Sequence, residues 1–122
     1  MNILNEKLSF DDKFRALGEY YYIESPGEIR NQIRKNENIF ALLDEIRPYL
    51  EKSFGDADYS LAMNFEPEMD DKFIILFINV SKERFNNGIS DELRELEFEI
   101  HDLRHKINVF RELSIMPEVL DV

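Results

Sequence analysis

Apolar residues recur along the chain with two different periods, and each period predicts an element. Phe10, Phe14, Leu17 and Tyr21 fall three or four positions apart, the spacing that gathers side chains on one face of a helix. Ser9 stands where an N-cap belongs, and Asp11 and Asp12 fill the first turn, where carboxylates meet the positive end of the helix dipole. The run Tyr20-Tyr21-Tyr22-Ile23 suits either a last helical turn or a short extended piece. Ser25-Pro26-Gly27-Glu28 then predicts a helix start, with Ser25 as cap, Pro26 at the first position and Glu28 closing a capping box. Ile29 and Ile33 share its apolar face, Asn36 and Asn38 interrupt it, and Ile39, Phe40, Leu43, Ile46 and Leu50 resume the period. Pro48 lacks a backbone donor and predicts a kink between Asp44 and Pro48; Gly55 predicts the C-cap.

The period then changes to two. Tyr59, Leu61, Met63 and Phe65 alternate with Ser60, Ala62 and Asn64, a strand with one buried face. After the polar turn Glu66-Pro67-Glu68-Met69-Asp70-Asp71, the run Phe73 to Val80 is apolar on both faces, which predicts a central strand covered on both sides. Asn86-Asn87-Gly88 marks a turn, and Ser90 or Asp91 caps a helix carrying Leu93, Leu96, Ile100, Leu103 and Ile107 on one stripe. Leu113 to Val122 reads as a strand that Pro117 restricts to a sheet edge.

The resulting order is α-α-β-β-α-β, an α+β fold. Its small three-stranded mixed sheet is a hairpin plus a parallel strand reached through a helical crossover, with helices packed mainly on one face. The chain reads as a single domain over 1–122, in which a helical arm over 1–25 leads into a helix–hairpin–helix–strand core over 26–122.

Charge narrows the function classes. With 26 acidic against 15 basic residues the net charge is −11, which repels phosphate backbones and anionic bilayers and steers toward basic proteins. No Cys is present, so disulfides and thiolate metal sites are excluded. The longest apolar run, Phe73 to Ile78, is too short to span a bilayer. Nothing in Met1 to Phe10 has the pattern of a signal peptide; a cytoplasmic location is the expectation.

The constellation closest to chemistry is Glu97, His101 and His105, spaced four apart along one side of the last helix. His-x₃-His is a metal-binding spacing, and a carboxylate one turn earlier suits a third ligand. At 100° per residue the two His point well away from the Leu93–Ile107 stripe, which argues for a solvated face with ion pairs such as Glu97 with His101. The paired carboxylates Asp56 with Asp58, Glu66 with Glu68 and Asp70 with Asp71 stand in turns, where such residues are commonplace. No nucleophile elbow, phosphate loop or dinucleotide fingerprint occurs, and no cofactor is implied. Arg30, Arg34 and Lys35 form the one compact basic spot, which suits pairing with the surrounding acids.

Glu28-Ile29-Arg30, Arg34-Lys35-Asn36, Ile39 to Leu43, Phe54 to Ala57, Ser60-Leu61, Glu66-Pro67-Glu68 and the Phe73 strand lie within 28–80. Together they resemble a loosely defined prokaryotic family of small uncharacterised α+β proteins. The resemblance implies a capped helix pair, a hairpin turn carrying a D/E-P-E element and a further helix and strand; it carries over no site residue. The helix from Ser90 to Ile107 is longer and more charged than that pattern. The functional expectation is a non-enzymatic interaction module, an inhibitor or antitoxin-like partner of a basic protein, with self-association as a second way to cover the apolar surplus. The alternatives are a metal-dependent hydrolase using Glu97, His101 and His105, and a small-ligand binder with a pocket between helix and sheet.

Overall fold

The computed structural model describes residues 8–55, 57–66 and 71–119. Asp56, the turn over Pro67 to Asp70 and the end of the last segment, Leu120 to Val122, lie outside these residues. The first helix, α1 (Phe10–Tyr20), begins as its sequence predicts, the Asp12 N–H donating to Ser9 Oγ over 3.1 Å. The chain then leaves the helix for a two-residue strand, β1 (Tyr22–Ile23). It enters α2 (Pro26–Lys35), α3 (Asn38–Glu45) and α4 (Arg47–Phe54), which are followed by the hairpin of β2 (Asp58–Glu66) and β3 (Asp71–Val80). A short α5 (Lys82–Phe85), then α6 (Ile89–Glu99) and α7 (His101–Ile107), lead to β4 (Leu113–Val119).

The α+β class holds, but the sheet has four strands in the order β1-β2-β3-β4 where three were expected. The additional strand is β1, parallel to β2 with Tyr22 opposite Ser60, and the Glu24 N–H extends the pairing to the Leu61 carbonyl over 2.9 Å. Two residues are too few to establish a period of two, so the run of tyrosines suited a short extended piece but did not name a sheet partner for it. The hairpin is antiparallel and β4 returns parallel to β3. Pro117, which has no N–H to offer, sits on the edge strand.

Other expectations change locally. Ser25 adopts the left-handed conformation at φ 48° and makes no side-chain cap; its carbonyl, not its hydroxyl, receives the Glu28 N–H over 3.0 Å. Ser90 and Asp91 do not cap α6, because the helix begins a residue earlier, after Gly88 at φ 79°. A left-handed position there suits glycine. The stripe from Leu93 to Ile107 spans two helices that part at Ile100, not one. No proline or glycine marks that break, so the apolar period runs through it. The break predicted around Pro48 falls at Ile46, with Pro48 in the first turn of α4.

The core gathers residues of one parity from every long strand: Tyr59 and Leu61 from β2, Ile74, Leu76, Ile78 and Val80 from β3, and Leu113 from β4. Ile29, Ile33, Leu42, Leu43, Leu50, Phe54, Leu96 and Ile100 close over them from the helices. Buried tyrosines satisfy carbonyls at the helix ends. Tyr21 Oη donates to the Leu43 carbonyl, and Tyr59 Oη donates to those of Leu50 and Phe54.

The junction of α6, α7 and β4 is held by one buried cation. Arg104 Nε and Nη2 donate to the two carboxylate oxygens of Glu97 over 3.1 and 3.0 Å. Its Nη1 donates to the carbonyls of Phe110 and Leu113 over 2.9 and 3.0 Å, and to that of Val109 over a longer 3.4 Å. Asn108, left-handed at φ 65°, turns the chain between them. Glu112 completes the junction: its carboxylate accepts from the Phe110 N–H and from Asn36 Nδ2, and its carbonyl accepts the first N–H of the β3–β4 pairing, from Ile74.

Replacing Arg104 by Met would leave the half-exposed Glu97 carboxylate and three carbonyls without their donor. It is expected to lower unfolding free energy by about 2–4 kcal/mol, read as a drop in the urea midpoint at unchanged m-value. Burial alone would raise the Glu112 pKa, but its own N–H, the Phe110 N–H, Asn36 and the Arg104 charge outweigh that and hold it below the ordinary value. Its stabilising contribution is therefore complete above the ordinary Glu pKa and is lost as pH falls through the lowered one. Urea unfolding from about pH 6 down to about pH 2 should show a shallower acid limb in Glu112→Gln than in the wild type.

Candidate binding face of the sheet

Pairing partners project to the same side of a sheet, so the register defines the face opposite the helices. Tyr22, Ser60, Phe77 and Met116 form one row across all four strands. Ala62, Ile75 and Ser114 form the next, followed by Asn64 with Phe73. On the other side of the first row lie Asp58, Asn79 and Glu118. None of Ala62, Phe73, Ile75, Phe77 and Met116 belongs to the helix-side core or packs against it. The expectation that the Phe73 strand is covered on both sides is thus corrected: it is interior to the sheet, and among the described residues the helices pack on one face.

This second face is apolar without being closed. Ile75 at its centre retains 7% exposure, while Met116 and Tyr22 retain 45% and 71%. Phe73 and Phe77 are half-buried. At strand spacings the apolar centre measures roughly 10 Å across β2 to β4 and roughly 14 Å from Phe73 to Phe77.

One end of the face opens into a recess of about 500 Å³, where Tyr22, Glu24, Asp58, Ser60, Asn79 and Glu118 converge. Asn79 Nδ2 donates to the buried Ser60 Oγ over 3.2 Å and fixes the floor. Glu24, Asp58 and Glu118 are exposed, and among the described residues none of the three forms an ion pair. At the opposite end Asp71 faces Arg111 over 3.6 Å. The recess is therefore a negative pole beside an apolar surface.

The residues singled out for metal chemistry lie elsewhere and are not assembled. Glu97 is taken by Arg104 through both oxygens. His101 and His105 are exposed on α7, their rings edge-to-face with centroids 4.5 Å apart, and His105 meets the Phe110 ring at 5.0 Å. Among the described residues no group of three or more His, Asp or Glu side chains is placed to hold a metal ion. Of the paired carboxylates, Asp58 lines the recess and Asp71 pairs with Arg111. Asp56, Glu68 and Asp70 lie outside the described residues.

The basic spot is occupied as its surroundings suggest. Arg30 pairs with Asp11, whose pKa that hydrogen bond and charge lower. The Arg30 and Arg34 guanidinium groups also lie over the Phe10 ring, at 5.1 and 4.2 Å from its centroid. A second cavity, of about 570 Å³, lies between α1 and α3, not between helix and sheet, with Leu17, Tyr20, Phe40, Asp44 and Arg47 among its walls. Of its two cationic side chains, Lys13 and Arg47, the second stacks on the Tyr20 ring at 4.0 Å.

Compared with protein-family models, curated proteins and solved structures, the chain gives no match. No described helix is long and apolar enough to cross a membrane.

The two faces of β3 make opposite predictions for adjacent residues. Leu76→Ala should cost about 3 kcal/mol or more, since it empties a fully enclosed site. Phe77→Thr, one residue along, should cost about 1 kcal/mol or less, because its side chain packs only against neighbours on an open face. Chemical denaturation of the two variants side by side measures the contrast.

Proposed function

We propose that this protein is a non-enzymatic protein-binding module of the cytoplasm, an inhibitor or antitoxin-like partner that engages a basic protein through the open face of its sheet. The observation that carries this reading is the apolar centre formed by Ala62, Phe73, Ile75, Phe77 and Met116, over which no described helix packs. Exposed apolar area of this kind, rimmed by polar residues, is characteristic of interaction surfaces. The net charge of −11 supports a basic partner, since it accelerates encounter with positive surfaces and discourages nucleic acid. The resemblance to small prokaryotic α+β proteins is compatible with this role.

The test compares two baits from lysate of the source cell, treated with nuclease: the tagged wild type and a Phe77→Ser, Met116→Ser double variant. The expected outcome is a basic protein retained in stoichiometric amount by the wild type and lost from the variant. The same proteins on both baits would remove the open face from the reading, and the chain recovered alone on both would remove a tight constitutive partner.

A further inference from the structure

The occupant of the open face follows from its dimensions, edges and charge, given the protein-binding reading above on which this inference rests. We infer that the face receives a single basic amphipathic helix of the partner, lying along the strands with its apolar stripe on Phe73, Ile75, Phe77 and Met116 and a Lys or Arg in the recess of Glu24, Asp58 and Glu118.

The sheet's layering, width and length point to this occupant. A sheet face is ordinarily closed by a helical layer, and this sheet has that layer on only one side among the described residues. The apolar centre is roughly 10 Å wide, the diameter of one helix. From Phe73 to the row of Asp58, Asn79 and Glu118 the face runs six residues along β3, or about 20 Å, which a helix of about 14 residues spans. A helix lying there reaches the recess with its end turn.

The β4 edge does not favour an added strand instead, because Pro117 lacks the N–H that a new ladder would use.

Charge excludes a second copy as the favoured occupant. Two chains of net charge −11 repel as wholes. In a face-to-face pair each acidic recess would meet either the other recess or the end bearing the already paired Asp71. A cationic helix meets neither objection: its charge complements three carboxylates that hold no ion pair among the described residues, and Tyr22 and Ser60 line the same recess.

The experiment uses the full-length protein and three synthetic peptides of about 14 residues. All share one leucine stripe at helical spacing, with a polar face of lysine, glutamine or glutamate. Binding is followed by heteronuclear NMR and calorimetry at about 0.15 M salt, with sedimentation of the protein alone. The lysine peptide should bind with shifts centred on Phe73, Ile75, Phe77, Met116 and Glu118, and at least tenfold more tightly than the glutamate peptide. A combined Asp58→Asn, Glu118→Gln variant should weaken it about three- to tenfold, and Phe77→Ser tenfold or more. Both variants alter side chains on the open side of the sheet, so wild-type far-ultraviolet circular dichroism is expected and keeps a loss of binding interpretable.

Three results would overturn the inference. If all three peptides bind the same face equally, the protein-binding reading stands but the cationic helix does not. If lysine-peptide shifts scatter over the helical side and persist in Phe77→Ser, attraction is merely diffuse, and both the docking mode and the open-face reading fail. If the protein alone sediments as a dimer that Phe77→Ser dissolves, the occupant is a second copy.

Discussion

Arg104 is the side chain through which the second half of the molecule is connected. A guanidinium in a largely buried position costs several kcal/mol unless its charge is balanced and its donors are used. Here the balance comes from Glu97 on the preceding helix, and the remaining donors go to carbonyls at the entrance to β4. Satisfying that one cation therefore requires α6, α7 and β4 to arrive together, across a helix break at Ile100 and a left-handed turn at Asn108. Glu112 uses the same few residues in the opposite sense, an anion held by N–H groups where the parallel pairing to β3 starts. With β4 docked in this way, the interior strand β3 has partners on both edges.

The helical layer also uses buried hydroxyls to satisfy its carbonyls. Tyr21 and Tyr59 each carry a hydroxyl into the core and spend it on a helix carbonyl, near the Pro48 break and at the end of α4 respectively. Arg84 reaches the Ser53 carbonyl and Glu92, tying α5 to α4 and α6. Among the described residues the helices do not reach the other face of the sheet. It carries half-buried Phe73 and Phe77 and exposed Met116, beside Glu24, Asp58 and Glu118, which form no ion pair among the described residues.

The Glu97, His101, His105 stripe shows how a spacing argument depends on the partners it omits. Four-residue spacing puts the three side chains along one side of an ideal helix, but it does not weigh the competitor that stands within the same stretch. The competitor is Arg104, seven residues beyond Glu97, buried beneath the chain reversal. A carboxylate that already neutralises a buried guanidinium gives up that role if it turns to a metal, so ligand spacing alone overstates its availability. The two imidazoles remain on the surface in contact with one another.

Local chemistry determined much of the architecture: the Ser9 cap, the break before Pro48, the hairpin, the interior place of the Phe73 strand and the edge place of the Pro117 strand. These follow from hydrogen-bonding capacity and side-chain period, properties that a residue carries wherever the chain goes. What the sequence did not reveal rests on partners remote along the chain. β1 is a strand only because Leu61 and Ser60 lie beside it, and Ser25 is left-handed where the chain turns out of that strand into α2. Half of the candidate site was legible, since the unbroken run from Phe73 to Val80 marked that strand as apolar on both faces and composition marked the acidity. That no described helix packs on this face, and that Glu24, Asp58 and Glu118 from three separate segments meet at its end, was decided by tertiary structure. Strand register and the side chosen by the helices are properties of the assembled layers, and no local pattern contains them.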